Sequence, residues 1–190
     1  YYLHSAGQAN TRFGNGTLLL DTPDIQCPDS YQYDPLDPVP TMGGRIQMPE
    51  VQEAGVKDQS VIEEREDVLV YTTPRLDRAV TIAGPVEAKL FISSSAVDTD
   101  FTAKLVDVEP NGYCGNVTEG ILRARYRDSM EEATFMQPGD VYEISVDLWH
   151  VAHTFKPGHR IRLEVSSSSF PRWDRNSNTE IHPCDAAMGD

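Results

Sequence analysis

Apolar and polar residues alternate strictly through several stretches of the chain, and a period of two predicts strands. In Tyr142-Glu143-Ile144-Ser145-Val146-Asp147-Leu148 the apolar side chains fall on one face and the acidic and hydroxyl groups on the other. Val86, Ala88, Leu90 and Ile92 share a face in the same way, as do Phe101, Ala103 and Leu105, and Ile161, Leu163 and Val165. The predicted strands are residues 1–4, 17–20, 67–71, 86–92, 100–107, 120–126, 141–149 and 160–165. A polar face on each strand predicts sheets buried on one side, and two such sheets stacked on their apolar faces make a sandwich. The turns agree: Asn111-Gly112 suits a hairpin tip, and Pro138-Gly139 and Pro157-Gly158 suit type II turns just before a strand. No segment keeps a helical period beyond about three turns. The expected fold is all-β, a jelly-roll-like β-sandwich of galactose-binding-like type.

The pattern changes before residue 66. Between Asp21 and Pro49 the chain carries Pro23, Pro28, Pro35, Pro38, Pro40, Gly43, Gly44 and Pro49. Proline has no N–H and a fixed φ, so this stretch cannot be the middle of a sheet; it reads as an extended strap across a surface. Residues 52–65 offer a helical turn at best. The expected organisation is one domain over 1–190: N-terminal strands and strap over 1–65, sandwich body over 66–175, and a tail over 176–190 that stops short of a closing strand. The start at Tyr1 and the loose end at Cys184–Asp190 read as a piece of a longer protein. An open sheet edge predicts self-association in isolation.

Composition narrows the function classes. The formal net charge is −14, which disfavours nucleic acid and anionic membrane surfaces as partners. No apolar run approaches the ~20 residues of a membrane span. Cys27, Cys114 and Cys184 lie far apart, make no zinc spacing, and favour a reducing compartment, the cytoplasm.

Candidate chemistry is sparse. The chain has no Gly-x-Ser-x-Gly elbow; Leu3-His4-Ser5-Ala6-Gly7 comes nearest but lacks the first glycine. Ser166–Ser169 reads as a polar strand end, and no catalytic residue is assigned. His150 and His153 read as two loop histidines, and no cofactor or metal site is assigned. Asp98 and Asp100 form a carboxylate pair that a polar strand start explains and that calcium would also suit. Asn15-Gly16-Thr17 and Asn116-Val117-Thr118 match the glycosylation sequon. Trp149 and Trp173 are candidates for a ligand platform, the alternative reading being a carbohydrate-binding module.

Several blocks together resemble one family. They are Tyr33-Asp34-Pro35-Leu36-Asp37-Pro38-Val39-Pro40-Thr41-Met42-Gly43-Gly44, Arg65-Glu66-Asp67-Val68-Leu69-Val70-Tyr71, the run from Ser93 to Val108, Arg123-Ala124-Arg125-Tyr126-Arg127, Pro157-Gly158-His159-Arg160-Ile161, and the run from Ser167 to Asn176. In this order they resemble the C-terminal domain of the cocaine-esterase-like and X-Pro dipeptidyl-peptidase (CocE/NonD) family of serine hydrolases, over residues 1–179. The resemblance implies a jelly-roll-like sandwich. It also implies a parent with an α/β-hydrolase catalytic domain in the same chain, a helical cap, and a small ester or peptide substrate. The family's catalytic triad lies upstream of this segment, so none of its residues carries over. The resemblance assigns a share of the substrate-pocket wall to Gln47 and Met48, just after the strap's Gly-Gly. Cocaine-hydrolysing members carry larger apolar residues there, and Gln47 departs from that pattern.

Overall fold

The computed structural model describes residues 1–24, 27–45 and 53–181. Among these residues eight strands form: β1 (Tyr2–His4), β2 (Thr17–Leu19), β3 (Leu69–Thr72), β4 (Val80–Ile92), β5 (Asp100–Val108), β6 (Cys114–Arg123), β7 (Tyr142–Phe155) and β8 (Arg160–Ser166). Helical structure among the described residues is confined to two 3-10 turns, Ile62–Glu64 and Ala124–Tyr126. The strands make a six-stranded sheet, in the order β1-β2-β3-β8-β5-β6, and a two-stranded ribbon, β4-β7. The chain crosses between them at β3→β4, β4→β5, β6→β7 and β7→β8, the connectivity of a jelly-roll-like sandwich.

The main core lies between these layers. Ala88, Leu90 and Ile92 of β4 and Ile144, Val146 and Leu148 of β7 pack over Phe101, Ala103 and Leu105 of β5 and Ile161 and Val165 of β8. Each large apolar side chain buried in this way contributes about 1.5–3 kcal/mol. Gly120 lets β7 approach β6 closely: a Cβ there would collide with the Asp147 carbonyl. The Thr118 hydroxyl donates to the Leu148 carbonyl at the same crossing.

The ribbon is longer than the alternation predicts at both free ends. β4 begins at Val80 rather than Val86, and β7 runs to Phe155 rather than Trp149. The reason is a change of phase. The pairing steps from Pro85–His150 to Glu87–Asp147, so Leu148 and Trp149 together oppose Val86 in a β-bulge. Trp149 takes a left-handed φ of 69°. Before the bulge Ile144, Val146 and Leu148 point inward; after it Val151, His153 and Phe155 do. His150 and His153 are therefore strand residues, not loop residues.

β6 also differs from expectation. It spans Cys114–Arg123, and residues 124–126, predicted to continue a strand, form a 3-10 turn. Asn116, Thr118 and Glu119 fall before the predicted strand, yet all three are buried. The cause lies on the outer face of the large sheet. Residues 39–44 and 57–64 run over it, so β5 and β8 are buried on both faces. Four tethers hold them down: Val39 N–H to Ser168 Oγ (2.9 Å), Thr41 Oγ1 with Ser169 Oγ (2.9 Å), Lys57 N–H to Asn116 Oδ1 (2.6 Å), and Gln59 N–H to the Cys114 carbonyl (2.8 Å).

Candidate functional site

The strap ends against the rim of the sandwich where β6 meets the β7 bulge. Gly43 and Gly44 both take positive φ, 70° and 87°, and Gly44 exchanges backbone hydrogen bonds with Gly55 (2.7 and 2.9 Å). The left-handed φ favours glycine at position 44, and a Cβ there would also press on Glu119 Oε1 and the Arg172 guanidinium. Those two groups pair beneath the strap, Arg172 Nη1 donating to Glu119 Oε1 at 2.7 Å. The Arg45 guanidinium then reaches across to the ribbon, donating to the His150 carbonyl at 3.2 Å.

That contact lies one residue from Trp149, which is 56% exposed on the bulge. Its backbone N–H donates to Asp147 Oδ1 at 2.7 Å, which helps hold a left-handed backbone that is costly for a bulky residue. Trp173 is half-buried, with the Arg172 guanidinium 4.6 Å from its ring centroid. Strap end, bulge and Arg172–Trp173 segment thus meet on one rim. Gln47 and Met48 follow Arg45 in sequence and lie outside the described residues.

The other sequence candidates resolve into structural networks. Asp98 and Asp100 sit side by side, buried, in a cage of donors. Arg125 gives Asp98 its backbone N–H (2.8 Å) and its Nε (2.7 Å). Arg123 grips Asp100 with two bonds (2.8 and 3.0 Å), and Asn176 bridges both carboxylates (2.7 and 2.8 Å). Burial pushes the Asp100 carboxyl above its usual range; the Arg123 fork and the Asn176 amide pull it back only in part. Protein donors already fill this pair's oxygens. Among the described residues no cluster of three or more His, Cys, Asp or Glu has an arrangement to hold a metal ion.

His153 Nε2 and His159 Nδ1 both bond the Asp107 carboxylate, at 2.9 and 2.8 Å. The carboxylate, on β5, ties the tail of β7 to the turn before β8, a cluster that the sequence does not reveal because its members come from two strands and a turn. The serine run is more engaged than a polar strand end. Ser166 Oγ donates to the Asp67 carbonyl (2.8 Å), and Ser167 pairs with the Tyr31 hydroxyl (2.8 Å). Ser168 and Ser169 hold the strap, so all four hydroxyls stitch residues 31–67 to the body. Ser5 shares its hydroxyl with Asn15 Oδ1 and Asp29 Oδ1 (2.8 and 2.7 Å). Asn15 Oδ1 also takes backbone N–H groups of Ala6 and Gln8, and Asn116 of the second sequon is buried. Cys27 is an exposed free thiol and Cys114 a buried one, its pKa pushed up to about 12 mainly by burial.

Residues 1–188 match the family described as the X-Pro dipeptidyl-peptidase C-terminal non-catalytic domain. The chain belongs to this family.

The chain is 48% identical to a cocaine esterase from Rhodococcus sp. (strain MB1 Bresler) over 179 residues, 94% of this chain and 31% of that protein. A solved aminopeptidase from the marine sediment archaeon Thaumarchaeota archaeon superposes with a TM-score of 0.82 at 32% identity, covering 98% of this chain and 33% of its own. An alpha-amino acid ester hydrolase superposes with a TM-score of 0.74, also at 32% identity, over 84% of this chain and 28% of its own. The chain thus spans about a third of the length of these relatives. In this domain His153 and His159 bond the Asp107 carboxylate, and the hydroxyls of Ser166 and Ser168 bond the backbone at Asp67 and Val39. No helix among the described residues is long and apolar enough to cross a membrane.

Proposed function

We propose that the full-length protein is an α/β-hydrolase-type serine hydrolase, and that this domain packs on its catalytic domain and supplies part of the wall of its substrate pocket. The observation that carries the reading is the anchoring of the strap end. Gly44, Arg45, Glu119 and Arg172 fix the chain immediately before Gln47 and Met48 against the rim. A rigid anchor suits a segment that must present two side chains to a neighbouring domain. Catalysis then belongs to a serine of the other domain, activated by a histidine and assisted by an oxyanion hole. An acyl ester is favoured over an X-Pro dipeptide as substrate, because the relative that is 48% identical over 94% of this chain is an esterase. Trp149 and Trp173 belong, in this reading, to the same interdomain rim rather than to a separate sugar platform. The isolated domain exposes Phe91 and Trp149, apolar surface that favours self-association. Free thiols at Cys27 and Cys114 suit the cytoplasm.

Position 47 tests the wall. Gln47→Leu in the full-length protein replaces an amide with an apolar surface. The ratio of kcat/KM for a benzoyl ester to that for an acetyl ester is expected to rise about tenfold, the scale of one apolar pocket contact. An unchanged ratio, with both esters still hydrolysed, would remove Gln47 from the pocket.

A further inference from the structure

Under residues 57–64 the large sheet carries carboxylate oxygens that its donors leave unmatched. Glu63 comes from the strap's 3-10 turn and Glu164 from β8, and both are fully shielded from solvent or nearly so. Glu63 Oε2 accepts from Arg162 Nη1, and Glu164 Oε2 lies 3.2 Å from Lys104 Nζ. The Oε1 atom of each has no partner. Lys104 Nζ bridges Glu164 to Gln59, whose backbone carbonyl accepts the Glu63 N–H, and Arg162, two residues before Glu164 on β8, holds Glu63, so the two carboxyl groups share one buried layer. Ionised carboxylates only accept, so a bond between them needs a proton on one.

The surroundings set how strongly that proton is held. Lys104 faces Glu164 from β5 but divides its donors, giving one to Gln59 Oε1 at 2.8 Å. Arg162 of β8 is committed to Glu63 and to Thr72 Oγ1 (2.8 Å). Arg12 stands off, its Nε 4.0 Å from Glu63 and its Nη1 3.9 Å from Glu64. From β6, Cys114 adds a neutral thiol, and Glu119 is paired with Arg172. Neither cation gives its full complement of donors to Glu164, and water cannot reach it freely.

We infer that Glu164 carries a proton that it donates to Glu63, and that this proton latches residues 57–64 onto the outer face of the large sheet. The physical cause is burial, which pushes the Glu164 carboxyl up to about 7; Lys104 opposes it and Glu63 reinforces it. A carboxyl whose pKa is raised on folding binds its proton more tightly in the folded state. Its stabilising effect is full below the usual 4.5 and is lost as the pH rises to about 7. Above that, two adjacent buried carboxylates repel, and the strap segment opens more often. A cavity of about 10 Å³ bordered by Lys104, Glu119 and Glu164 has room for one water. A water donating to Glu164 Oε1 there would leave both carboxylates charged and no latch.

Infrared difference spectra and backbone hydrogen exchange of the full-length protein, between about pH 5 and about pH 8, decide between these states. The expected result is a carboxylic-acid carbonyl band that disappears across that range and is absent in Glu164→Gln. Exchange at Gln59, Ile62 and Glu63, corrected for intrinsic rate, should rise roughly tenfold or more over the same range in the wild type and stay level in Glu164→Gln. If Glu164→Gln does not fold, Glu63→Gln replaces it, and the wild-type titration alone still decides. A spectrum with no such band at the acid end, or exchange over residues 57–64 that is independent of pH, overturns the inference.

Discussion

The molecule carries the same Lys–Glu pair in both of its sheets. On the ribbon, Lys89 and Glu143 meet diagonally across β4 and β7 at 3.5 Å, with side chains 60% and 53% exposed. On the large sheet, Lys104 and Glu164 face each other across β5 and β8 at 3.2 Å, with 9% and 4% exposed. Both pairs occupy the polar positions of alternating strands, and in sequence they look alike. The first is an ordinary solvated face. The second belongs to a buried layer of charge roofed by a strap from the other end of the chain. An alternating strand therefore reports two different faces, but it does not say that the polar one meets water.

The largest effect expected from that difference is at Lys104. Lys104→Met leaves the Glu164 carboxylate and the Gln59 amide without their cation and should cost about 3–5 kcal/mol in urea unfolding at neutral pH, the cost of stranding a buried charge. Because Lys104 is the group that pulls Glu164 down, the variant should also recover part of its loss at acid pH, where Glu164 is neutral. A loss below about 1 kcal/mol would mean that the layer is wet. The strap seam comes next. Ser168→Ala removes the acceptor for the Val39 N–H and should cost about 1–3 kcal/mol, with increased exchange at Val39 as the specific readout. The smallest effect belongs to the ribbon: Lys89→Met should change stability by less than about 1 kcal/mol, and the change should vanish in high salt. If Lys89→Met and Lys104→Met cost the same, the contrast between the two faces is wrong.

Much of this fold is legible in the residues. Val141–Leu148, Arg160–Val165 and Asp100–Asp107 alternate, and each lies largely within a strand of the sandwich. What alternation cannot carry is a change of phase. Trp149 inserts one residue into β7 and moves the inward set from even to odd positions, so His150 and His153 read as loop although they pair with Pro85 and Ile82. β6 misled for another reason: Asn116, Thr118 and Glu119 are buried polar residues that bond Lys57, the Leu148 carbonyl and Arg172, partners distant in sequence. The candidate site was legible only through its motifs. Gly43-Gly44 marks the strap end by resemblance, and the structure supplies the physical reason in the Glu119–Arg172 pair beneath it. The buried layer of Glu63, Lys104, Arg162 and Glu164 had no signal of its own, since each residue taken singly is a normal surface residue.

The division of labour between domains is the central claim, and ester hydrolysis tests it most directly. Hydrolysis of p-nitrophenyl butyrate should be measured with this 190-residue chain alone and with the full-length protein. The account predicts turnover by the full-length protein, and for the chain alone a rate no higher than that of a heat-killed control. Turnover by the chain alone, abolished by a serine-directed inhibitor, would contradict it.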